Sequence, residues 1–370
     1  MIYFDNAATS YPKPPEVVRA VTGALESFGN PSRGAHGLAL AAGRSLAATR
    51  QMAAELFGCP SAERVAFTKN ITEALNIAIA SVEGHIVTTE SEHNSVLRPI
   101  FRRGDYTVLP VDGRGCFTAG DLVRALRRDT AAVALGHGSN LTGNLAPTLE
   151  IGRLCRERGL IFILDTAQTA GVFDLNMEAA GVDALCFTGH KSLYGPQGTG
   201  GICLSGRFTP RPLMVGGSGI HSFSPEQPPE MPTLLEAGTV NGHGLAGLLA
   251  GLEYVREHGP EITAEADRLA RLFYRELKDR DYITFYGDYE AEKRAPIVTI
   301  NVGELPSDEV ADILAEDYGI AVRAGSHCAP LLHRRFGTET RGSVRFSFSH
   351  FNREDEVRTA LTAIDDIYRR

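Results

Sequence analysis

Apolar positions along this chain follow two alternating periods. In residues 15–28, Val17, Val18, Val21, Ala24, Leu25 and Phe28 fall at helical spacing, and an alanine-rich stretch over residues 35–57 continues as a long helix. Short apolar runs at 65–67, 86–88, 106–111, 131–135 and 161–164 then read as strands. Between them, residues 72–82, 119–128 and 147–158 carry helical patterns. Such alternation predicts an α/β domain with a mostly parallel central sheet.

The pattern changes over residues 216–232, where glycine, serine and proline predict an irregular loop on the surface or around a site. A helix over 244–258, rich in small residues and so expected to pack closely, carries the chain out of the large domain. The order beyond it is helix 264–278, strands 283–286 and 297–302, helix 307–318, strands 320–323 and 344–348, and a final helix 354–368. Ser307, followed by Asp308 and Glu309, reads as an N-cap with acidic residues favourable to the helix dipole. The expected organisation is an extended segment near the active site (1–15), a large α/β domain (16–252) and a smaller α+β domain (253–370).

Composition excludes more than it selects. At 370 residues, with 43% hydrophobic and 22% charged residues, the chain is an ordinary globular sequence with room for two domains. A net charge of -8 argues against a general nucleic-acid surface, and Arg124, Arg127 and Arg128 read as a solvated helix face. The start, Met1-Ile-Tyr-Phe-Asp5, is too soon interrupted by charge for a signal peptide, and no apolar run approaches the roughly 20 residues that span a bilayer. A cytoplasmic protein with no membrane association is expected. The six cysteines, at 59, 116, 155, 186, 203 and 328, form no C-x-x-C pair, so they read as separate reduced thiols. Histidines 93, 190, 243, 327, 333 and 350 are scattered, with no H-E-x-x-H; no metal site is expected. Gly136-His-Gly138 is a poor dinucleotide fingerprint because position 141 is leucine, and there is no P-loop.

Chemistry concentrates in a few segments. Thr188-Gly-His-Lys191 follows an apolar run and precedes a glycine-dense turn. A buried lysine beside histidine and hydroxyl groups loses charge easily, and its neutral amine can bind an aldehyde cofactor covalently. Upstream, an apolar strand ends in Asp165, the partner a pyridinium nitrogen requires, with Gln168 three residues on. Alone, such a lysine is commonly a solvated charge and such an aspartate a helix cap; together Asp165, Gln168, His190 and Lys191 point to pyridoxal phosphate. Five cysteines sit in or beside apolar segments as small hydrophobes. Cys328 instead lies in a loop, Arg323-Ala-Gly-Ser-His327-Cys328-Ala-Pro330, with Arg334 and Arg335 shortly after, and a positive environment favours the nucleophilic thiolate.

In that ordered set of motifs, from Tyr3-Phe-Asp-Asn-Ala-Ala-Thr9 through Arg345, the chain resembles the class V aminotransferase family of pyridoxal-phosphate fold type I, and within it the cysteine desulfurases. The resemblance implies a large domain with a mostly parallel sheet plus a smaller α+β C-terminal domain carrying the cysteine loop. It makes Lys191 the cofactor anchor and proton carrier, Asp165 the pyridine-nitrogen partner, Gln168 the phenolate partner and His93 the ring-stacking histidine. Asn140 would orient the substrate. The Ile71 amide and Thr72, with Thr188 and His190, would cradle the phosphate at a helix N-terminus. Thr239, in Glu236-Ala-Gly-Thr239, would complete the neighbouring subunit's site in a homodimer. Arg345 would grip the substrate carboxylate with two parallel hydrogen bonds, with Arg323 as a second anion contact. Arg33-Gly-Ala-His36 resembles a segment reaching the partner's active-site mouth.

The reaction implied is conversion of L-cysteine to L-alanine, with Cys328 taking the sulfur as a persulfide. The sulfur would pass to an acceptor protein for iron–sulfur clusters or thiolated cofactors. The compact Ser-His-Cys-Ala-Pro loop is more similar to the SufS-like and selenocysteine lyase-like group than to the long-loop IscS-like group, although the N-terminal extension of many SufS-like enzymes is absent. Thr166 stands where many desulfurases carry glycine or alanine. The alternatives are a selenocysteine lyase acting on L-selenocysteine, another class V enzyme (C–S lyase, epimerase or aminotransferase), and a non-catalytic scaffold, against which the intact Lys191, Asp165 and His93 argue.

Overall fold

The computed structural model describes residues 1–31 and 34–370. After β1 (Ile2–Tyr3) come α1 (Pro15–Ser27), α2 (Gly37–Phe57), β2 (Val65–Thr68), α3 (Ile71–Ser81), β3 (His85–Thr89), α4 (Asn94–Arg103), β4 (Tyr106–Leu109), α5 (Ala119–Ala125), β5 (Thr130–Gly136), α6 (Thr148–Arg158), β6 (Ile161–Asp165), β7 (Ala184–Thr188) and β8 (Gly200–Leu204). The rest is α7 (Gly242–Leu277), β9 (Ile283–Phe285), β10 (Ile297–Val302), α8 (Ser307–Tyr318), β11 (Ile320–Ala321), α9 (Pro330–Phe336), β12 (Val344–Ser347) and α10 (Glu354–Arg369). Among the described residues no helix is long and apolar enough to cross a membrane.

Seven strands form one sheet in the order β2-β8-β7-β6-β5-β3-β4, parallel except for β8, which runs antiparallel to both neighbours. Strands β3, β5, β6 and β7 are almost wholly buried, which is why they read as continuous apolar runs rather than alternating ones. The glycine-dense stretch is a turn up to Thr199, and its last two glycines begin β8. A Cβ on Gly201 would lie 2.5 Å from the Phe187 ring and 2.8 Å from the Ala66 carbonyl, and one on Gly200 would lie 2.9 Å from Asn70. Glycine here lets neighbouring strands and the start of α3 close in.

The second half folds on an antiparallel sheet, β12-β10-β9, covered by α8, α10 and the end of α7. The N-terminus belongs to this core. β1 pairs in parallel with β11, and Phe4 packs against Phe346 and Phe348.

The two helices expected at 244–258 and 264–278 are one 36-residue helix, α7, with Pro260 inside it. An interior proline costs about 3 kcal/mol; the flanking Val255 and Ile262, buried in one cluster with Tyr194, hold the helix together across it. Ser307 is not the N-cap of α8. That position is Pro306, and the Ser307 hydroxyl accepts from the Gly325 amide. α5 ends at Ala125, so Arg127 and Arg128 lie beyond it, and Arg127 pairs with Asp105 and Asp129. α9, directly after the cysteine loop, had no counterpart in the sequence pattern.

The small residues of α7 do pack closely: a Cβ on Gly251 would sit 2.2 Å from the Leu193 carbonyl, just past Lys191, whereas one on Gly259 meets nothing within 4 Å. Gly251→Ala should therefore destabilise by about 1–3 kcal/mol through overpacking, while Gly259→Ala should be neutral or stabilising by up to about 1 kcal/mol. Urea denaturation of the two variants checks the opposite signs.

Candidate active site

A cavity of about 270 Å³ lies at the carboxyl ends of the large-sheet strands. Segments following β2 (Asn70 to Thr72), β3 (Ser91 to Ser95), β5 (Gly136 to Asn140), β6 (Asp165 to Gln168) and β7 (Thr188 to Lys191) form its floor and walls. This is the expected place for a ligand on an open α/β sheet. Ala7 and Ala8 come from the N-terminus, and Arg323, His327 and Arg345 from the second half.

Lys191 and Asp165 line the cavity together. Burial lowers the Lys191 amine to about 8, against the opposing pull of Asp165. Burial raises the Asp165 carboxyl, while the Ala167 amide (2.8 Å) and Lys191 favour its charged form. Gln168 donates to the Ala7 carbonyl at 3.1 Å, tying the N-terminal segment to the cavity. His93 caps α4: its Nδ1 accepts from the Ser95 amide at 3.0 Å, which leaves the proton of the neutral ring on Nε2. Burial, then Lys191, depresses His93 to about 4, so the ring is uncharged.

The start of α3 presents the features of an anion site. Asn70 caps it, accepting from the Glu73 amide at 3.1 Å, and Ile71 and Thr72 face the cavity. Thr72 and Ser95 share a hydroxyl hydrogen bond of 2.8 Å. Thr188 Oγ1 and His190 Nδ1, also on the cavity, are buried with no hydrogen-bond partner among the described residues, and burial pushes His190 down to about 4.

At the other end lies Arg345, almost without solvent exposure. It donates to the Asn140 carbonyl and to Asp5 Oδ1, both at 3.0 Å, and its Nε has no partner among the described residues. Asn140 donates to the His327 carbonyl at 2.6 Å and leaves its Oδ1 unpaired. Arg323 bridges Arg345 through the backbone. His327 and Cys328 both have positive φ, 49° and 57°, a conformation costly for side chains of their kind. The Cys328 carbonyl accepts from the Asn94 amide at 2.8 Å, which pins the half-buried cysteine beside His93.

The expected positive environment of Cys328 is narrower than the sequence indicated. Arg334 pairs with Glu339 and Arg335 with Glu90, because α9 turns both onto surface carboxylates. Thr239 is exposed and outside this chain's cavity. Arg33 lies outside the described residues. Ile71, Thr72, His93, Asn140, Asp165, Gln168, Thr188, His190, Lys191, Arg323 and Arg345 all line the one cavity, and Cys328 adjoins it through His327. Sequence reasoning missed Glu92, Asp5 and His327, although Asp5 and His327 sit inside quoted motifs and Glu92 directly precedes His93. Gly136 and Gly138, set aside as a failed fingerprint, also line the cavity; a Cβ on Gly138 would lie 2.7 Å from Thr169. Among the described residues no group of three or more His, Cys, Asp or Glu is placed to hold a metal ion.

The donor set fits pyridoxal phosphate. Unpaired buried Thr188 Oγ1 and His190 Nδ1 sit beside a helix N-terminus suited to a dianion, a carboxylate and an amine suit the ring, and a guanidinium with a free N–H suits a carboxylate.

Comparison with known proteins agrees. The family model described as Aminotransferase class-V matches residues 2–359. A probable cysteine desulfurase of Methanothermobacter thermautotrophicus is 32% identical over 99% of this chain and 94% of its own. The cysteine desulfurase IscS of Pectobacterium carotovorum is 30% identical over 96% and 90%. Among solved structures, the apo cysteine desulfurase of Thermococcus onnurineus superposes with a TM-score of 0.93 at 32% identity, covering 100% of this chain and 94% of that one. The cysteine desulfurase CsdA of Escherichia coli gives 0.87 at 26% identity, over 98% and 94%. With a match across nearly the whole chain and a cavity built for the cofactor, the chain belongs to the class V aminotransferase family.

Proposed function

We propose that this chain is a pyridoxal-phosphate-dependent cysteine desulfurase that releases L-alanine from L-cysteine and takes the sulfur as a persulfide on Cys328. The observation that carries the reading is the cysteine loop, where His327 lines the lysine cavity and the next residue is bonded to the amide following His93. A thiol fixed there can meet a substrate thiol held in the cavity.

Pyridoxal phosphate, when bound, supplies an electron sink for the pair released at the substrate Cα. In this reading Lys191 anchors it and its Nζ moves the Cα proton, a task suited to an amine lowered to about 8. Asp165 would keep the pyridine nitrogen protonated, Gln168 would bond the ring oxygen, and the uncharged His93 would lie against the ring. The Ile71 amide, Thr72, Thr188 and His190 hold the phosphate. Arg345 receives the substrate carboxylate, with Asn140 and Arg323 beside it. Cys328 Sγ forms a bond to the substrate sulfur as the Cβ–S bond breaks. The bonding pair goes to carbon, which gains a proton and leaves as alanine, so cysteine and enzyme thiol become alanine and enzyme persulfide.

We further read the chain as an N-terminal segment (1–15) serving the site, a cofactor domain (16–252) and a small domain (253–370). It would work as a cytoplasmic homodimer in which the exposed Thr239 reaches the other subunit's phosphate site. An acceptor protein would take the persulfide sulfur, and the acidic net charge does not favour nucleic acid as a partner.

Cys328→Ala should retain the yellow cofactor yet lose alanine and sulfide production by at least ~100-fold, measured with L-cysteine and a reductant. Full activity in that variant would indicate direct elimination instead. The Lys191 amine gives a second prediction. Its folded-state value, about 8, lies below its ordinary 10.5, so the unfolded chain binds the extra proton between these limits. The lysine's contribution to the stability of the cofactor-free protein therefore rises as pH increases across that window. Urea titrations should show the stability difference between Lys191→Met and wild type shrinking from pH 8 toward 10.5.

A further inference from the structure

Glu92 is a carboxyl that the desulfuration scheme leaves unused. It is 2% exposed, lines the cofactor cavity, and among the described residues has no cation bonded to it. Its Oε2 accepts from the Gly136 amide at 2.6 Å, and its Oε1 lies 2.5 Å from the Thr89 hydroxyl and 3.3 Å from that of Ser91. Gly136 is the last residue of β5 and stands in register opposite Asp165 on β6. Glu92 thus braces the strand end against which Asp165 is set. The absence of a side chain at Gly136 makes the approach possible, since a Cβ there would lie 3.3 Å from Oε2.

Two negative charges in one buried space repel, and neither can recover its hydration. The other ionisable groups of the cavity are Asp165 on β6, His93 at the start of α4, Lys191 and His190 after β7, and Arg323, His327 and Arg345 from the second half. The cations lie with Asp165 and the substrate end: Lys191 draws Asp165 toward its charged form, and Arg345 is paired with Asp5. Near Glu92 the charge is that of Asp165, which acts against ionisation. A carboxylic acid in this place can still accept from Gly136 through one oxygen while donating from the other to Thr89, which in turn contacts the Ser91 hydroxyl at 2.6 Å.

We propose that Glu92 is a positioning residue of the cofactor site, holding its proton in the working enzyme and bracing the end of β5, so that Asp165 stays the single negative charge at the pyridine end of the cavity. This rests on Asp165 being the pyridine partner. Burial lifts the Glu92 carboxyl to about 8, with Asp165 adding to it and the hydrogen bonds from Thr89, Gly136 and Ser91 opposing it, so ionisation falls just above neutral pH.

The test is infrared spectroscopy of the cofactor-loaded protein well below and well above pH 8. Wild type should show the C=O stretch of a protonated carboxyl at the lower pH and lose it at the higher. Glu92→Gln, a neutral isostere, should lack the band while keeping the pH titration of the cofactor's visible absorption unchanged below pH 8 and binding the cofactor within a few-fold of wild type. Glu92→Ala, which strips Gly136 of its acceptor, should weaken cofactor binding roughly tenfold. Carboxyl-13C-glutamate labelling of the wild-type protein should shift the same band, a readout that needs no variant to fold. Absence of the band, its failure to move on glutamate labelling, or displacement of the visible titration at neutral pH by Glu92→Gln would each overturn the inference. The infrared band does not depend on desulfuration, so loss of the sulfur-transfer reading would leave this result standing.

Discussion

A buried guanidinium holds this site together. Arg345 comes from β12 of the second half, yet its partners are the Asn140 carbonyl after β5 and the Asp5 carboxylate near the N-terminus. Placing such a charge away from water costs several kcal/mol unless it is paired and hydrogen-bonded, so three distant stretches of chain are constrained to meet at one side chain. The N-terminal stretch is further sewn to β12 by the Ala7 amide on Ser347 Oγ (2.9 Å) and by Asn6 on the Ser347 carbonyl (3.0 Å). A few residues on, Ser10 and Lys13 bond the carbonyls of Lys191 and His190. The short N-terminal segment is therefore part of the scaffold that positions the lysine, and the unpaired Nε of Arg345 remains for an incoming carboxylate.

The same logic of compensated cost applies to the cysteine loop. Two successive side-chain-bearing residues with positive φ cost of order 1–3 kcal/mol each. Asn140 on the His327 carbonyl, Asn94 on the Cys328 carbonyl and burial of Ala329 and Leu332 hold the conformation in place. Fixing the backbone fixes where the thiol can be. Around it the histidines are neutral by burial, so the cavity's charge is set by its carboxyls, Asp165 and Glu92, with Lys191 and the two arginines.

Much of this was legible in the sequence, for identifiable reasons. The central strands are buried on both faces and so declare themselves as apolar runs, and the site residues cluster just after those runs because that is where parallel strands end. Other features depended on contacts that no local pattern encodes. Gly200 and Gly201 look like a turn until Phe187 and Asn70 are seen to need the space. Pro260 looks like a helix end until the packing of Val255 and Ile262 is known. Arg334 and Arg335 look like an electropositive setting for Cys328 until α9 directs them to Glu339 and Glu90. Glu92 passed unnoticed beside His93 because an acidic residue before a helix reads as ordinary solvated charge, and only its burial shows otherwise.

The central claim is that sulfur leaves its substrate in the Lys191 cavity and arrives on one thiol of six. The most direct measurement is mass spectrometry of peptides from the cofactor-loaded protein after a single turnover with L-cysteine in the absence of reductant. The account predicts one additional sulfur atom on the peptide containing Cys328, with an equal amount of alanine. Alanine formed while Cys328 stays unmodified, or sulfur found instead on another of the five cysteines, would contradict it.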